Sequence, residues 1–287
     1  MANTITLKRR IGSVKNTRQI TKAMELVAAS KMRRAQENAV HGRAYREAAY
    51  SLLTRLSNIT EVSEHPLFAT RSVKRRLYII ITSNQGLAGA YDSNILKMLT
   101  HVAIDDIRSG IGVDVITVGK KGANFVRNLT GVNLIAAYTD IKDNPTANDV
   151  RPILNTITEL FSNKNVDEVR MLYTQFKSNL VQIATPLQVL PAKFENSVDS
   201  SLMSVTFEPS VEAVLDNVAL RLIEVQMWQA ILESFASEQS MRMMAMKNAT
   251  DNASDLIDDL TLAFNTARQA AITQELAEIT GGAEAMK

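Results

Sequence analysis

The sequence predicts an α/β chain in which long N- and C-terminal helices pair as an antiparallel coiled coil and a separate α/β domain is inserted between them. Three observations carry this expectation. All six prolines, Pro66, Pro145, Pro152, Pro186, Pro191 and Pro209, fall between residues 66 and 209, and no glycine follows Pro209 before Gly281. The C-terminal stretch keeps an apolar period of 3.5 residues. The two flanks carry opposite charge: residues 1–56 hold twelve Lys and Arg against three Asp and Glu, and residues 210–287 hold five against twelve.

The N-terminal element is a helix over residues 1–60. Leu7, Ile11 and Val14, then Ile20, Met24 and Val27, then Met32, Ala35, Ala39, Ala49, Leu52 and Leu56 recur at spacings of three and four, with some wandering of the stripe and Gly42 within it. Residues 61–76 connect it to a domain spanning 77–200. There, Leu77 to Thr82, Val113 to Val118, Asn133 to Ala137, Val169 to Phe176 and Leu180 to Thr185 read as strands from their β-branched runs. Ser93 to Arg108, Lys121 to Leu129 and Asp149 to Phe161 carry helical spacing between them. Strands alternating with helices predict a mostly parallel, Rossmann-like sheet covered on its faces, with the last two strands able to close as an antiparallel hairpin.

Residues 201–287 supply the second long helix. A proline-free run from Ser210 to Thr280 fits one helix of 71 residues, roughly 105 Å long at 1.5 Å per residue. Stepping by four and three from Val211 through Leu215, Val218, Leu222 and onward to Gln274 meets nineteen positions, fifteen of them apolar. A seam held in phase that long implies a left-handed coiled coil. Helices that leave and re-enter one inserted domain run antiparallel, and the opposed charges favour that pairing. Ile223, Met227, Ile231, Met241, Met244, Leu256, Leu262 and Ile272 lie off the seam, so part of this helix is expected to be enclosed by other protein.

Composition narrows the function classes. No 18-residue apolar run is long enough to cross a bilayer, and the start MANTITLKRRIG lacks an apolar signal core, which fits a soluble intracellular protein. The absence of cysteine excludes disulfides, thiolate metal sites and a cysteine nucleophile. The loop Ser83 to Ala90 sits where phosphates bind in dinucleotide folds, yet neither GxGxxG nor GxxxxGK[ST] is present, and Gly119-Lys120-Lys121-Gly122 lacks the spacing for a phosphate cradle. These glycines read as backbone geometry. His41, His65 and His101 fall in no metal motif, His41 on a solvated helix face, and Asp105-Asp106 and Asp258-Asp259 read as solvated charge. Catalytic, metal-binding and cofactor-binding residues are therefore expected to be none, and no cofactor is assigned.

Lys8, Arg9 and Arg10 stand near a helix start, where the macrodipole disfavours cations, which points to an acidic partner. From the residues alone, a nucleic-acid-associated coiled coil using the basic helix, and an enzyme with a nucleotide-binding domain, are rival readings. Aromatic interleaving and a reading module are missing for the first, and a phosphate motif for the second.

The string ITQELAEITGGA from Ile272 to Ala283 closely resembles the signature of the gamma subunits of F-type ATP synthases. ITKAMELVAASKMRRAQ at Ile20 to Gln36, SNQGLAG at Ser83 to Gly89, FEPS at Phe207 to Ser210 and MKNATDNASDLIDDL at Met246 to Leu260 extend the resemblance over nearly the whole chain. One departure is local: many relatives carry a Cys and an Asp-Arg or Asp-Lys pair in the glycine loop, where this chain has Asn84-Gln85 and Ala88.

The resemblance implies a non-catalytic rotor. The coiled coil is then a shaft inside a ring of alpha and beta subunits, and the Rossmann-like domain a foot with the epsilon subunit on the c-ring. Ion flow turns the ring and the shaft, and each orientation of the shaft favours a different conformation of each beta subunit. By the same resemblance, Arg268, Gln269 and Thr273 meet a beta-subunit loop, with Glu275 and Glu278 nearby. Lys8, Arg9, Arg10 and the stretch from Met24 to Lys31 match further ring contacts, and Phe207 and Glu208 match the foot. Neither nucleic acid nor a membrane-spanning segment is expected. The implied location is peripheral, on the cytoplasmic face of a bacterial cell membrane.

Overall fold

The structure, a computed structural model, describes residues 2–57, 66–142, 145–192 and 211–285, with side chains for 4–38, 66–142, 145–192 and 217–283. Among them the elements run α1 (Ala2–Ser57), β1 (Arg75–Ile81), α2 (Tyr91–Arg108), β2 (Gly112–Val118), α3 (Lys120–Val126), β3 (Val132–Tyr138), α4 (Ala147–Ser162), β4 (Glu168–Phe176), β5 (Gln182–Leu190) and α5 (Val211–Ala285). The chain divides into two compact units, Met1–Ala28 with Arg242–Lys287, and Ala29–Met241. The expected positions Ala39, His41, Ala49, Leu52, Leu56, His65, Phe207, Glu208, Val211 and Leu215 lie outside the residues with described side chains.

In the larger unit, the five strands form one sheet in the order β3-β2-β1-β4-β5. β1 pairs parallel with β2 and β4, β2 pairs parallel with β3, and β4 with β5 antiparallel, so the last two strands close as the hairpin. Alternation along β1 assigns its two faces. Leu77, Ile79 and Ile81 join Val150, Ile153, Leu154, Ile157 and Phe161 of α4 and Ile223, Met227 and Ile231 of α5 in one core. Tyr78 and Ile80 join Ile95, Leu99 and Ala103 of α2 and Val126 of α3 in the other. Each buried Ile, Leu or Val side chain contributes about 1.5–3 kcal/mol, so a sheet covered on both faces accounts for near-continuous apolar strands such as RRLYIII.

Local chemistry sets the ends of these elements. At the start of α4 the Asp149 carboxylate accepts the Thr146 N–H and hydroxyl, both at 2.7 Å, and these bonds, backbone first, hold Asp149 below the ordinary aspartate range. Gly119 joins β2 to α3 with φ +101°, and a Cβ there would stand 2.1 Å from the Thr82 carbonyl oxygen. The glycine is required by a close backbone approach, in line with the geometric reading of that loop.

Four expectations change. The final strand runs to Leu190 rather than Thr185, because Pro186 lies on the open edge of the sheet, where its missing N–H removes no ladder bond. Leu180 and Val181 fall in the exposed hairpin turn. α5 continues through Gly281 and Gly282 to Ala285, although each helical glycine costs about 1 kcal/mol relative to alanine. The off-seam residues Ile223, Met227 and Ile231 are covered by the chain's own sheet and need no external protein.

Asp106 is the fourth correction: it is buried and paired, not solvated. It accepts hydrogen bonds from Arg76 Nη1 and, at 2.6 Å, from Tyr78 Oη, while Arg76 Nε donates to Glu168 at 2.7 Å and Arg170 Nε to the other Glu168 oxygen at 2.7 Å. Burial, and then the bond to Asp106, push the Tyr78 phenol up to about 12. Burial works against the charge of Arg76, but its bonds to Asp106 and Glu168 outweigh that and raise it.

Candidate functional site

The smaller unit pairs Met1–Ala28 with Arg242–Lys287. Its fixed point is Thr21, whose hydroxyl lies 2.8 Å from that of Thr250. Carried from that contact in the antiparallel sense, the register sets Val14 across from Ile257, Ile11 from Leu260 and Leu7 from Phe264. All six are buried or half-buried. A parallel register would instead oppose Arg18 to Lys247, two cations. The heptad seam is real along the helix: every seam position with a described side chain from Val218 to Ala271 is buried or half-buried, and Gln274 is exposed.

In this register Ala2, the first described residue of α1, falls opposite Gln269. From Ala270 onward α5 has no helical partner among the described residues, and every residue from Ile272 to Ala283 is exposed. The free stretch is not polar. Ile272, Leu276 and Ile279 stand 48%, 59% and 68% exposed at spacings of four and three, which lines them along one side of the helix. A bare apolar stripe on a helix end is costly in water and belongs against another surface.

The predicted contact residues are distributed as follows. Thr273, Glu275 and Glu278 are exposed on this terminal stretch and Arg268 and Gln269 are exposed just before it, with Gln274 Nε2 donating to Glu278 at 2.9 Å. Lys8, Arg9 and Arg10 are exposed on α1, and the register sets Lys8 across from Ala263, one to two turns from Arg268. These two groups therefore share one end of the smaller unit. Met24 is half-buried within that unit and Lys31 half-buried within the larger one. Phe207 and Glu208 are outside the described residues. Among the described residues no helix is long and apolar enough to cross a membrane, and no cluster of His, Asp and Glu is arranged to hold a metal.

At the carboxyl end of β1, where such sheets receive phosphates, this chain sets an acid. Asp92, in the first turn of α2, accepts the Ser83 N–H at 2.8 Å and the Ser83 hydroxyl at 2.6 Å. The favourable field of the helix N-terminus is thus already used by a carboxylate, which repels a phosphate from the same place. Sequence reasoning passed over Asp92, although an Asp two residues beyond a glycine-rich turn is a readable sign of an occupied helix start. It also passed over the buried hydroxyls of α5, Ser234, Ser237 and Ser240, which bond to β4 and to the β4–β5 turn.

Comparison with known proteins agrees with the resemblance. The family model described as "ATP synthase" matches residues 3–286. The ATP synthase gamma chain of Heliobacterium modesticaldum is 41% identical over 98% of both chains, and that of Herpetosiphon aurantiacus 43% identical over 100% of this chain and 99% of its own. Among solved structures, a chain of the Tetrahymena thermophila mitochondrial ATP synthase central stalk and c-ring superposes with a TM-score of 0.64 at 26% identity, covering 80% of this chain and 99% of its own. A chain of the Euglena gracilis mitochondrial enzyme gives a TM-score of 0.71 at 18% identity, covering 99% and 95%, and shares the fold. With near-complete coverage on both sides and about two residues in five identical to proteins of one name, the chain belongs to the ATP synthase gamma-chain family.

Proposed function

We propose that this chain is the central rotor shaft of an F-type proton-transporting ATP synthase. It couples rotation of the c-ring, driven by ion flow, to ordered conformational changes of catalytic beta subunits, and carries no catalytic residue of its own. The observation that carries this reading is the unpartnered end of α5, a helix continuous from Val211 to Ala285 whose last turns present Ile272, Leu276 and Ile279 to solvent. Such a stripe is stable when a collar of other subunits surrounds it. Arg268, Gln269 and Thr273, with Glu275 and Glu278, then contact a beta subunit, and Lys8, Arg9 and Arg10 face acidic segments of the same ring. Met24 to Lys31 form a further ring contact. Phe207 and Glu208 belong to the foot that meets the epsilon subunit and the c-ring. The complex sits peripherally on the cytoplasmic face of the bacterial cell membrane.

Rotor action requires only that the shaft bind the beta subunits differently in each orientation, because a ligand shifts an equilibrium by its differential affinity. The fixed charge of Asp92 supports a domain that binds no nucleotide itself. Reconstitution tests the reading. Alpha and beta subunits of a related bacterial enzyme, mixed with this chain, should form a complex with one copy of it and hydrolyse ATP, and neither the chain alone nor the ring alone should match that rate. A chain that fails to enter the ring, or that binds Mg-ATP stoichiometrically at micromolar concentration, contradicts it.

A further inference from the structure

Past the carboxyl end of β1 the sheet of the larger unit opens. The last paired position between β1 and β4 is Ile80 with Leu172. Thr82 then turns toward β2, its N–H donating to the Val118 carbonyl at 2.8 Å. α2 follows β1 on one face of the sheet and α4 precedes β4 on the other. This is the crevice in which open α/β sheets receive ligands.

Here α5 fills it. Ser234, Ser237 and Ser240 are fully buried, and their spacing of three sets them along one edge of the helix. The Thr174 N–H donates to Ser234 Oγ at 3.2 Å, and Ser237 Oγ shares its proton between the Thr174 carbonyl at 3.1 Å and the Glu233 carbonyl of its own helix at 2.9 Å. Tyr91 Oη lies 2.7 Å from Ser234 Oγ. One turn on, Ser240 Oγ donates to the Asn179 carbonyl at 3.1 Å and accepts from Gln182 Nε2 at 3.2 Å. Both backbone groups of Thr174, two residues past the last β1–β4 pair, are thus held by the helix, and so is the turn of the β4–β5 hairpin.

We infer that the Ser234, Ser237 and Ser240 hydroxyls form a torsional clamp through which α5 and the sheet turn as one body. The inference rests on the rotor reading above. Apolar packing of Ile223, Met227 and Ile231 on the sheet is non-directional, and the hydrogen bonds of that part of α5, Trp228 Nε1 to the Pro145 carbonyl at 2.8 Å and Arg151 Nε to Glu224 at 2.9 Å, reach α4 and the segment before it and not the sheet. Hydrogen bonds weaken steeply with misalignment, so a row of them along one edge resists rotation of the helix against the sheet. The serines are positioning residues: they touch no nucleotide and act through the angle of the shaft.

The test uses the whole complex, with the catalytic ring fixed to a surface and a bead on the α/β domain. In the triple variant Ser234→Ala, Ser237→Ala, Ser240→Ala, the angular variance of the bead during catalytic pauses is expected to rise about twofold or more as the directional hold between helix and sheet is lost. Subunit stoichiometry and unloaded hydrolysis should stay at the wild-type level. Unchanged variance in an assembled variant overturns the clamp. If the triple variant does not assemble, Ser240→Ala with Gln182→Ala, which leaves the Tyr91 and Thr174 contacts in place, gives the reading: a smaller rise is expected, and no rise overturns the inference. A wild-type chain that assembles no rotating complex overturns the rotor reading and the clamp with it, whereas a turning wild type beside an equally stiff variant removes the clamp alone.

Discussion

Replacing Tyr78 by Phe isolates one arm of the buried network that joins β1, α2 and β4. The ring keeps its place between Ile95, Leu99 and Ala103, so the change removes one oxygen and its 2.6 Å bond to the Asp106 carboxylate. A hydrogen bond to a charged group contributes about 1.5–3 kcal/mol, and for a domain of this size each kcal/mol moves Tm by about 2–4 °C. A loss of about 3–12 °C follows at neutral pH. The dependence on pH identifies the cause. The phenol is raised from 10.0 to about 12 in the folded chain, so its contribution is complete below pH 10 and is lost as pH climbs from 10 toward 12. The variant has no such group, and the gap between wild type and variant should narrow through that window and nearly close at its top. Urea titrations read by Trp228 measure it: this is the single tryptophan, on α5 with Nε1 donating to the Pro145 carbonyl at 2.8 Å, and it reports on the α/β unit. A gap that stays constant from pH 8 to pH 11 would refute the account of the network.

Gly119→Ala should destabilise the α/β unit by about 3 kcal/mol or more, since a Cβ would stand 2.1 Å from the Thr82 carbonyl at a φ that side chains rarely adopt; thermal unfolding within 1 kcal/mol of wild type contradicts this. Spin labels at positions 8 and 263, and at 18 and 253, should each give short distances, while 8 paired with 253, displaced by about 15 Å along the axis at 1.5 Å per residue, should give a longer one; the opposite ordering means a parallel pair. Replacing Arg268, Gln269 and Thr273 together by Ala should lower turnover or assembly of the reconstituted complex and leave helix content unchanged, because Ala is the best helix former. Full turnover in a complete complex would show that shaft shape alone transmits torque.

The elements that were legible in the sequence are those whose signal is local. LYIIIT and VDVITV are β-branched and short, and they lie at the centre of the sheet. The seam from Val218 to Ala271 was readable because a coiled coil writes its contact as a period. Asp106 was not, because nothing beside it in the chain shows that Arg76, thirty residues away, and Tyr78 come to meet it. The same holds for Ile223, Met227 and Ile231, whose apolar spacing announces a buried face without saying which surface buries it. Ser234, Ser237 and Ser240 left a faint sign, three small hydroxyls at a spacing of three, which acquires meaning only with the open end of the sheet beside it. The expected contact residues near Arg268 come from the resemblance, and what the fold adds is that Arg268 and Gln269 are exposed where α1 begins to cover α5, while Thr273, Glu275 and Glu278 lie on the stretch beyond it.

The central claim is that the long helix turns inside a ring of other subunits and that the α/β domain turns with it. The most direct measurement attaches a bead to an exposed site of that domain, such as position 101, in a complex of this chain with alpha and beta subunits held on glass. On addition of ATP the bead should revolve in one direction, in steps that divide the turn into equal parts matching the number of catalytic sites, and stop when ATP is withdrawn. A complex that hydrolyses ATP at full rate while the bead shows only random angular motion would contradict the account.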